Sequence, residues 1–174
     1  MLAPSAERSV GRYEVDSHQM TTRVEVFWEG YLGTLPAEHP HRHARPDAFT
    51  FGDSPSLANE LAALVRSGRK QATAGLPAEF TAAGLPLPAA GDISIVTRAD
   101  GSPVAIIELT EVRQVPFHAV DAAFAAEEGE GDRTLAWWRT AHRNYFRRVS
   151  AKLSCEFDEN TPVICQRFRL VWHG

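Results

Sequence analysis

Two β-rich apolar runs, Ile93-Ser94-Ile95-Val96-Thr97 and Val104-Ala105-Ile106-Ile107-Glu108-Leu109, flank Asp100-Gly101, and no other feature constrains the chain as strongly. β-Branched side chains suit a pleated, half-buried backbone, and Asp-Gly tolerates the positive φ that tight hairpin turns require. The runs therefore predict an antiparallel hairpin. Residues 163–172, VICQRFRLVW, partly alternate apolar and polar, as a strand buried on one face does.

Helical spacing surrounds these strands. Val24, Val26, Phe27, Trp28, Tyr31, Leu32 and Leu35 recur on one helical face until Pro36 stops the pattern. Ser54 as N-cap with Pro55 at the first helical position opens a second helix. Its stripe is Leu57, Leu61, Leu64 and Val65, and Gly68 caps its end. Residues 78–83 suit a short helical piece inside a Pro/Gly-rich connection, and residues 117–126 read as helical. Residues 134–149 carry Leu135, Trp138, Tyr145 and Val149 at helical spacing. Helices interspersed with antiparallel strands predict an α+β fold.

A chain of 174 residues, 44% hydrophobic and 23% charged, is large enough to close one core without metals or disulfides. Residues 21–174 are expected to form that single unit. Residues 1–20 have no hydrophobic period and read as a disordered leader, with Met20 a candidate initiator. The net charge of -4 argues against a surface that is basic all over, so contact with nucleic acid must be local. Cys155 and Cys165 do not make a secreted disulfide framework, and no run has signal-peptide or membrane-span length; a cytoplasmic protein with reduced thiols and no membrane association is expected. Oligomeric state is not legible.

The candidate chemistry begins at Gly68-Arg69-Lys70-Gln71-Ala72-Thr73. Gly68 ends a helix, so residues 69–74 leave it extended. Lys70 and Thr73 then point to opposite faces unless the chain turns. If they converge, Lys70 holds an anionic group or eases ionisation of the Thr73 hydroxyl; otherwise Lys70 is a solvated cation and Thr73 a strand residue. EEGEGD offers Glu127, Glu128, Glu130 and Asp132 as a general base or as a partner for Lys70, or else as the acidic start of a helix. Arg133, Trp137, Trp138, Arg139 and His142 follow. Trp138 and His142, four apart, share a helix face, which suits either a stacked nucleobase or a core anchor beside a surface histidine. His39, His41 and His43 alternate in a Pro/His-rich loop near Asp47; no ligand set of metal spacing accompanies them, and neither metal nor cofactor is expected.

The ordered set SGRKQATAG, GDISIV, IIELTEV, FAAEEGEGDRTLAWWRTAH and PVICQRFRLVW resembles the ASCH domain family of the PUA-like group, in its subgroup of bacterial stand-alone proteins. The resemblance covers about residues 48–172, and residues 21–35 are similar to the extra N-terminal helix of that subgroup. It implies a small, mostly antiparallel β-barrel surrounded by helices, with a cleft at the G-x-K-x-x-T segment. It also implies RNA or a modified nucleoside as partner. Some relatives hydrolyse N4-acetylcytidine with a Lys, Thr and Glu constellation, and others are ribonucleases.

Carried onto this chain, the catalytic candidates are Lys70, Thr73 and Glu130, with Glu128 as the alternative acid. The substrate-binding candidates are Arg69, Arg133, Trp138 and His142. A binding module would use a basic strip from Arg69, Lys70, Arg147, Arg148, Arg167 and Arg169. A hydrolase of RNA or of an acylated nucleoside needs the catalytic three within hydrogen-bond reach. A non-catalytic regulatory protein needs neither.

Overall fold

The hairpin forms in a computed structural model that describes residues 17–174, with side chains from Thr21 onward. Strands β3 (Ile93–Thr97) and β4 (Pro103–Pro116) pair antiparallel with Ile95 opposite Ile106 and Val96 opposite Ala105. The turn closes through the Arg98 N–H to the Ser102 carbonyl at 2.9 Å, with Gly101 at φ 76°. β4 runs seven residues past the predicted Leu109, to Pro116, and pairs along its length with β5 (Pro162–Trp172). Its distal half is polar on one side, which the apolar signal at residues 104–109 does not reveal.

Two short strands complete the sheet, whose order is β1-β3-β4-β5-β2. β2 (Ala72–Gly75) adds antiparallel to β5, whereas β1 (Asp47–Thr50) lies parallel to β3. The run at residues 48–51 reads in sequence as a loop returning to the core. It is a strand because β3 supplies a partner 47 residues away, as in the pairing of Asp47 with Ser94. The result is a mixed five-stranded curled sheet, a half-barrel in an α+β fold. Register shifts at Val96/Thr97, Ile106/Ile107 and Leu109/Glu111 help bend it.

Period-two alternation divides the core. Ile95 and Ile106 face helix α1 (Ser17–Gly33), where Trp28 and Tyr31 cover them. Val96, Ala105 and Ile107 face helix α2 (Pro55–Arg66), which contributes Leu61, Ala62 and Val65. Each large aliphatic chain fully buried there contributes about 1.5–3 kcal/mol over its exposed state. A third cluster joins Ala72 and Cys165 of the sheet to Phe124 of helix α4 (Ala122–Glu127) and to Trp138 and Phe146 of helix α5 (Leu135–Lys152). The short helix α3 (Pro77–Ala82) lies in the connection where it is expected.

Caps set the boundaries. The Ser54, Asp121 and Thr134 side chains accept the N–H groups of Leu57, Phe124 and Trp137, opening α2, α4 and α5. The single helix predicted over residues 117–126 is divided: Phe117–Ala119 make a 3-10 turn, and α4 starts only after Asp121. Of the leader predicted over residues 1–20, residues 1–16 lie outside the described residues, while residues 17–20 belong to α1. No helix among the described residues is long and apolar enough to cross a membrane.

Candidate functional site

Gly68 sets the direction of the candidate segment. At φ 72° it lets its own N–H bond the Val65 carbonyl and the Arg69 N–H bond the Leu64 carbonyl, each at 2.9 Å. This paired closure of a helix end turns the chain sharply, toward β2. The next residues are stitched on both sides: the Gln71 N–H donates to the Glu127 carbonyl at 2.8 Å, and the Gln71 carbonyl accepts from the Phe168 N–H at 2.9 Å. The loop after α4 thus lies against residues 69–71.

Gly129 makes that approach possible. Its φ is 74°, and a Cβ there would sit 2.5 Å from the Arg69 carbonyl oxygen, so only glycine satisfies both the conformation and the space. Packed this closely, Lys70 enters the interior with 1% of its surface exposed. Its Nζ lies 3.0 Å from Glu128 Oε2 and 3.5 Å from the Glu128 carbonyl, and is ion-paired with Glu130 Oε1. The Phe51 ring centroid is 5.3 Å away, close enough for a cation–π contribution.

Glu128 is the hub. Its side chain is also 1% exposed, and its second oxygen accepts the Trp138 indole N–H at 2.8 Å and lies 3.3 Å from His142 Nε2. The Trp138 and His142 rings stack at 4.2 Å, and His142 Nδ1 faces the Trp138 carbonyl at 3.1 Å. Burial pushes the Glu128 carboxyl up, but the Lys70 ammonium, His142 and the indole N–H outweigh it and hold it at about 2. For Lys70, burial favours the neutral amine, yet the two carboxylates keep it charged with a raised pKa. Burial of Cys165, with the negative charge of Glu128 nearby, pushes that thiol up to about 12, leaving it protonated and inert.

Of the residues singled out in sequence, the structure joins Lys70, Glu130, Trp138 and His142 in one network through Glu128. Trp138 is 1% exposed and stacks on Phe117 as well as His142, so its ring is a wall of the network. Thr73 lies in β2 opposite Gln166, half-buried, on the other face of the strand from Ala72. Among the described residues, no hydrogen bond links Thr73 to Lys70 or Glu130. Arg69 is exposed, and Arg133, at φ 64°, turns its Nε–H to the Ala126 carbonyl at 3.1 Å. In the expected basic strip, Arg167 pairs with Glu127 and Glu111, Arg169 with Glu108 and Arg148 with Asp53, while Arg147 is exposed.

The histidine loop does a different job. Arg42 donates to the carbonyls of Leu32, Leu35 and Pro36 at 2.7, 2.5 and 2.7 Å, capping the end of α1 with a cation. The His41 ring bridges the Tyr31 hydroxyl at 2.7 Å and Glu108 at 3.5 Å. These contacts hold the loop against α1 and β4.

Chemically, the centre is a buried cation shared by two carboxylates of different exposure. Glu128 is sealed, whereas Glu130 and His142 reach the surface with 15% and 12% of their side chains. Glu130 binds Lys70 through Oε1, and among the described residues Oε2 has no protein donor, which leaves a carboxylate oxygen for water or substrate. Burying such a network costs several kcal/mol per ion and rarely adds net stability, so its location marks a functional candidate.

A family model described as ASCH domain matches residues 47–172. An ASCH domain structure from Lactobacillus crispatus JV V101 is 36% identical, with a TM-score of 0.82 over 87% of this chain and 96% of that one. A protein structure from Enterococcus faecalis V583 is 33% identical, with a TM-score of 0.75 over 87% of this chain and 89% of that one. No curated protein matches the chain.

Proposed function

We propose that this chain, which belongs to the ASCH domain family, engages RNA or a modified nucleoside and hydrolyses it at the Lys70–Glu130 edge of its polar network. ASCH domains are generally RNA-associated, which supports the partner class. The observation that carries the chemistry is the pairing of a fully buried Lys70 with a partly exposed Glu130 that keeps one oxygen free.

In this reading Glu130 is the general base that takes a proton from water or from a substrate hydroxyl. Lys70 fixes the carboxylate, and Glu128, itself held by Trp138 and His142, fixes Lys70. A carboxylate whose ammonium partner is anchored on every side keeps its orientation as substrate approaches. For an acylated nucleoside, Thr73 is the nucleophile once bound substrate brings its hydroxyl and Glu130 together. Glu130 takes the hydroxyl proton as the oxygen attacks the amide carbon, returns it to the departing amine as the C–N bond breaks, and then takes a proton from the water that cleaves the acyl ester. In this reading Arg69 and Arg133, both exposed, meet anionic substrate groups.

The experiment is incubation of wild type, Glu130→Gln, Thr73→Ser and Thr73→Val with N4-acetylcytidine and with mixed-sequence RNA, followed by mass spectrometry of products. Deacetylated cytidine from wild type and Thr73→Ser, but from neither of the other variants, supports the amide reading. RNA cleavage that survives Thr73→Val would instead support attack by the RNA 2′-hydroxyl.

A further inference from the structure

Among the described residues, Arg113, Arg143, Arg148, Arg167 and Arg169 are ion-paired to carboxylates. Arg66 and Arg98, like Arg69 and Arg147, have no hydrogen-bonded or ion-paired protein partner among the described residues, but these two share one concavity. Both line one cavity of about 220 Å³ with Ala62, Ala63, Ser67 and Val104, between the end of α2 and the β3–β4 turn. No acidic residue lines it. On a chain of net charge -4, two unpaired guanidinium groups over one concavity make a local positive field.

The Ala99 N–H donates to Asn59 Oδ1 at 3.1 Å, tying the turn to α2. Asp100 of the turn accepts from the N–H and hydroxyl of Ser102 at 2.9 and 2.5 Å and, although it does not line the cavity, its charge offsets part of that of Arg98. At the helix end, the Leu64 and Val65 carbonyls accept from Arg69 and Gly68, and the Ser67 hydroxyl donates to Leu64, which reduces the negative charge that a helix C-terminus presents. The volume is below the roughly 300–1,000 Å³ of drug-sized ligand pockets, so it suits a compact anion better than a nucleoside. Planar guanidinium forks recognise tetrahedral oxyanions through paired N–H donors.

We infer that this cavity is a phosphate-binding subsite, formed by Arg66 and Arg98, that seats a backbone phosphate of the RNA strand whose nucleotide reaches the Lys70–Glu130 edge. Ser67 lies three residues before Lys70, so at most about 11 Å of chain separates the Ser67 backbone at the cavity rim from the Lys70 backbone, whose side chain carries on to Glu130. The inference rests on the RNA reading for the carrier of the phosphate, and on the cavity alone for the phosphate itself.

Two arms separate these sources. In the first, inorganic phosphate is titrated while amide and arginine Nε–H resonances are followed by NMR; saturable shifts are expected at Ala62, Ala63, Ser67, Arg66 and Arg98, and none in Arg66→Gln/Arg98→Gln. In the second, a short uridine oligomer is titrated between about 50 and 200 mM salt. The double variant should bind more weakly, with the log–log salt slope reduced by about 0.7 for one lost phosphate contact. Arg66→Lys/Arg98→Lys keeps the charge without the fork, and should restore the slope but only part of the affinity.

Phosphate shifts without RNA binding would confirm the subsite and remove RNA as its carrier. Oligomer binding with an unchanged slope in the Gln variant, or phosphate shifts spread evenly over surface cations, would overturn the subsite. Turnover of free N4-acetylcytidine should be equal in wild type and the Gln variant, so failure of the hydrolytic reading is read separately.

Discussion

Lys70 Nζ sits 3.0 Å from Glu128 Oε2, and each side chain is 1% exposed although 58 residues separate them. The pair fastens the segment that leaves α2 to the loop that leaves α4. Removing one charge strands the other: Lys70→Met should cost about 3–5 kcal/mol in urea unfolding. Lys70→Met/Glu128→Gln should recover a large part of that loss, with a double-mutant coupling well above the ~0.5 kcal/mol expected of non-interacting sites.

Acid should weaken the fold through Glu128. Its carboxyl is held at about 2 in the folded chain, against about 4.3 for an unperturbed glutamate. A depressed folded value means that the stabilisation is fully present above about pH 4.3 and is lost as pH falls toward 2. Lys70 has the opposite sign: its raised value gives stability that is present below its unfolded pKa and lost as strong alkali deprotonates it. Urea midpoints followed from neutral pH into this acid window should fall, and Glu128→Gln should flatten that part of the fall.

Gly129→Ala should be costly for a residue with no side chain. The new Cβ meets the Arg69 carbonyl in a left-handed conformation, so either the loop withdraws or the backbone strains. A loss of about 1–3 kcal/mol is expected, with faster hydrogen exchange at the Gln71 amide. Gly68→Ala, at a similar φ but with open space around it, should cost less.

Local features made part of this centre legible in sequence. Asp100-Gly101 between β-branched runs marks the hairpin, and Gly68 marks the turn after α2, because each depends on backbone preferences of neighbouring residues. Glu128 is different. In sequence EEGEGD looks like a solvated acidic turn, and the family pattern favours Glu130; burial of Glu128 depends on Gly129 packing against Arg69 and on Lys70 and Trp138 arriving from other elements. The Trp138 indole N–H is likewise invisible as a donor until α5 is placed. β1 escaped for the same reason, since its partner strand is distant in the chain.

Trp138→Phe keeps an aromatic wall but deletes one donor to a buried carboxylate. Loss of a hydrogen bond to a charged group is expected to cost about 1.5–3 kcal/mol. The variant should also lower kcat more than it raises KM, because Glu128 then holds Lys70 less firmly. Thermal unfolding and steady-state kinetics on one preparation separate the two effects.

Glu130→Gln tests the central claim most directly, because it removes the base while leaving the buried Lys70–Glu128 pair in place. With N4-acetylcytidine as substrate, the account predicts that wild type releases cytidine and that the variant, verified as folded by circular dichroism at the assay temperature, is slower by about 10²–10⁴-fold. Wild-type turnover from a folded Glu130→Gln variant would contradict it.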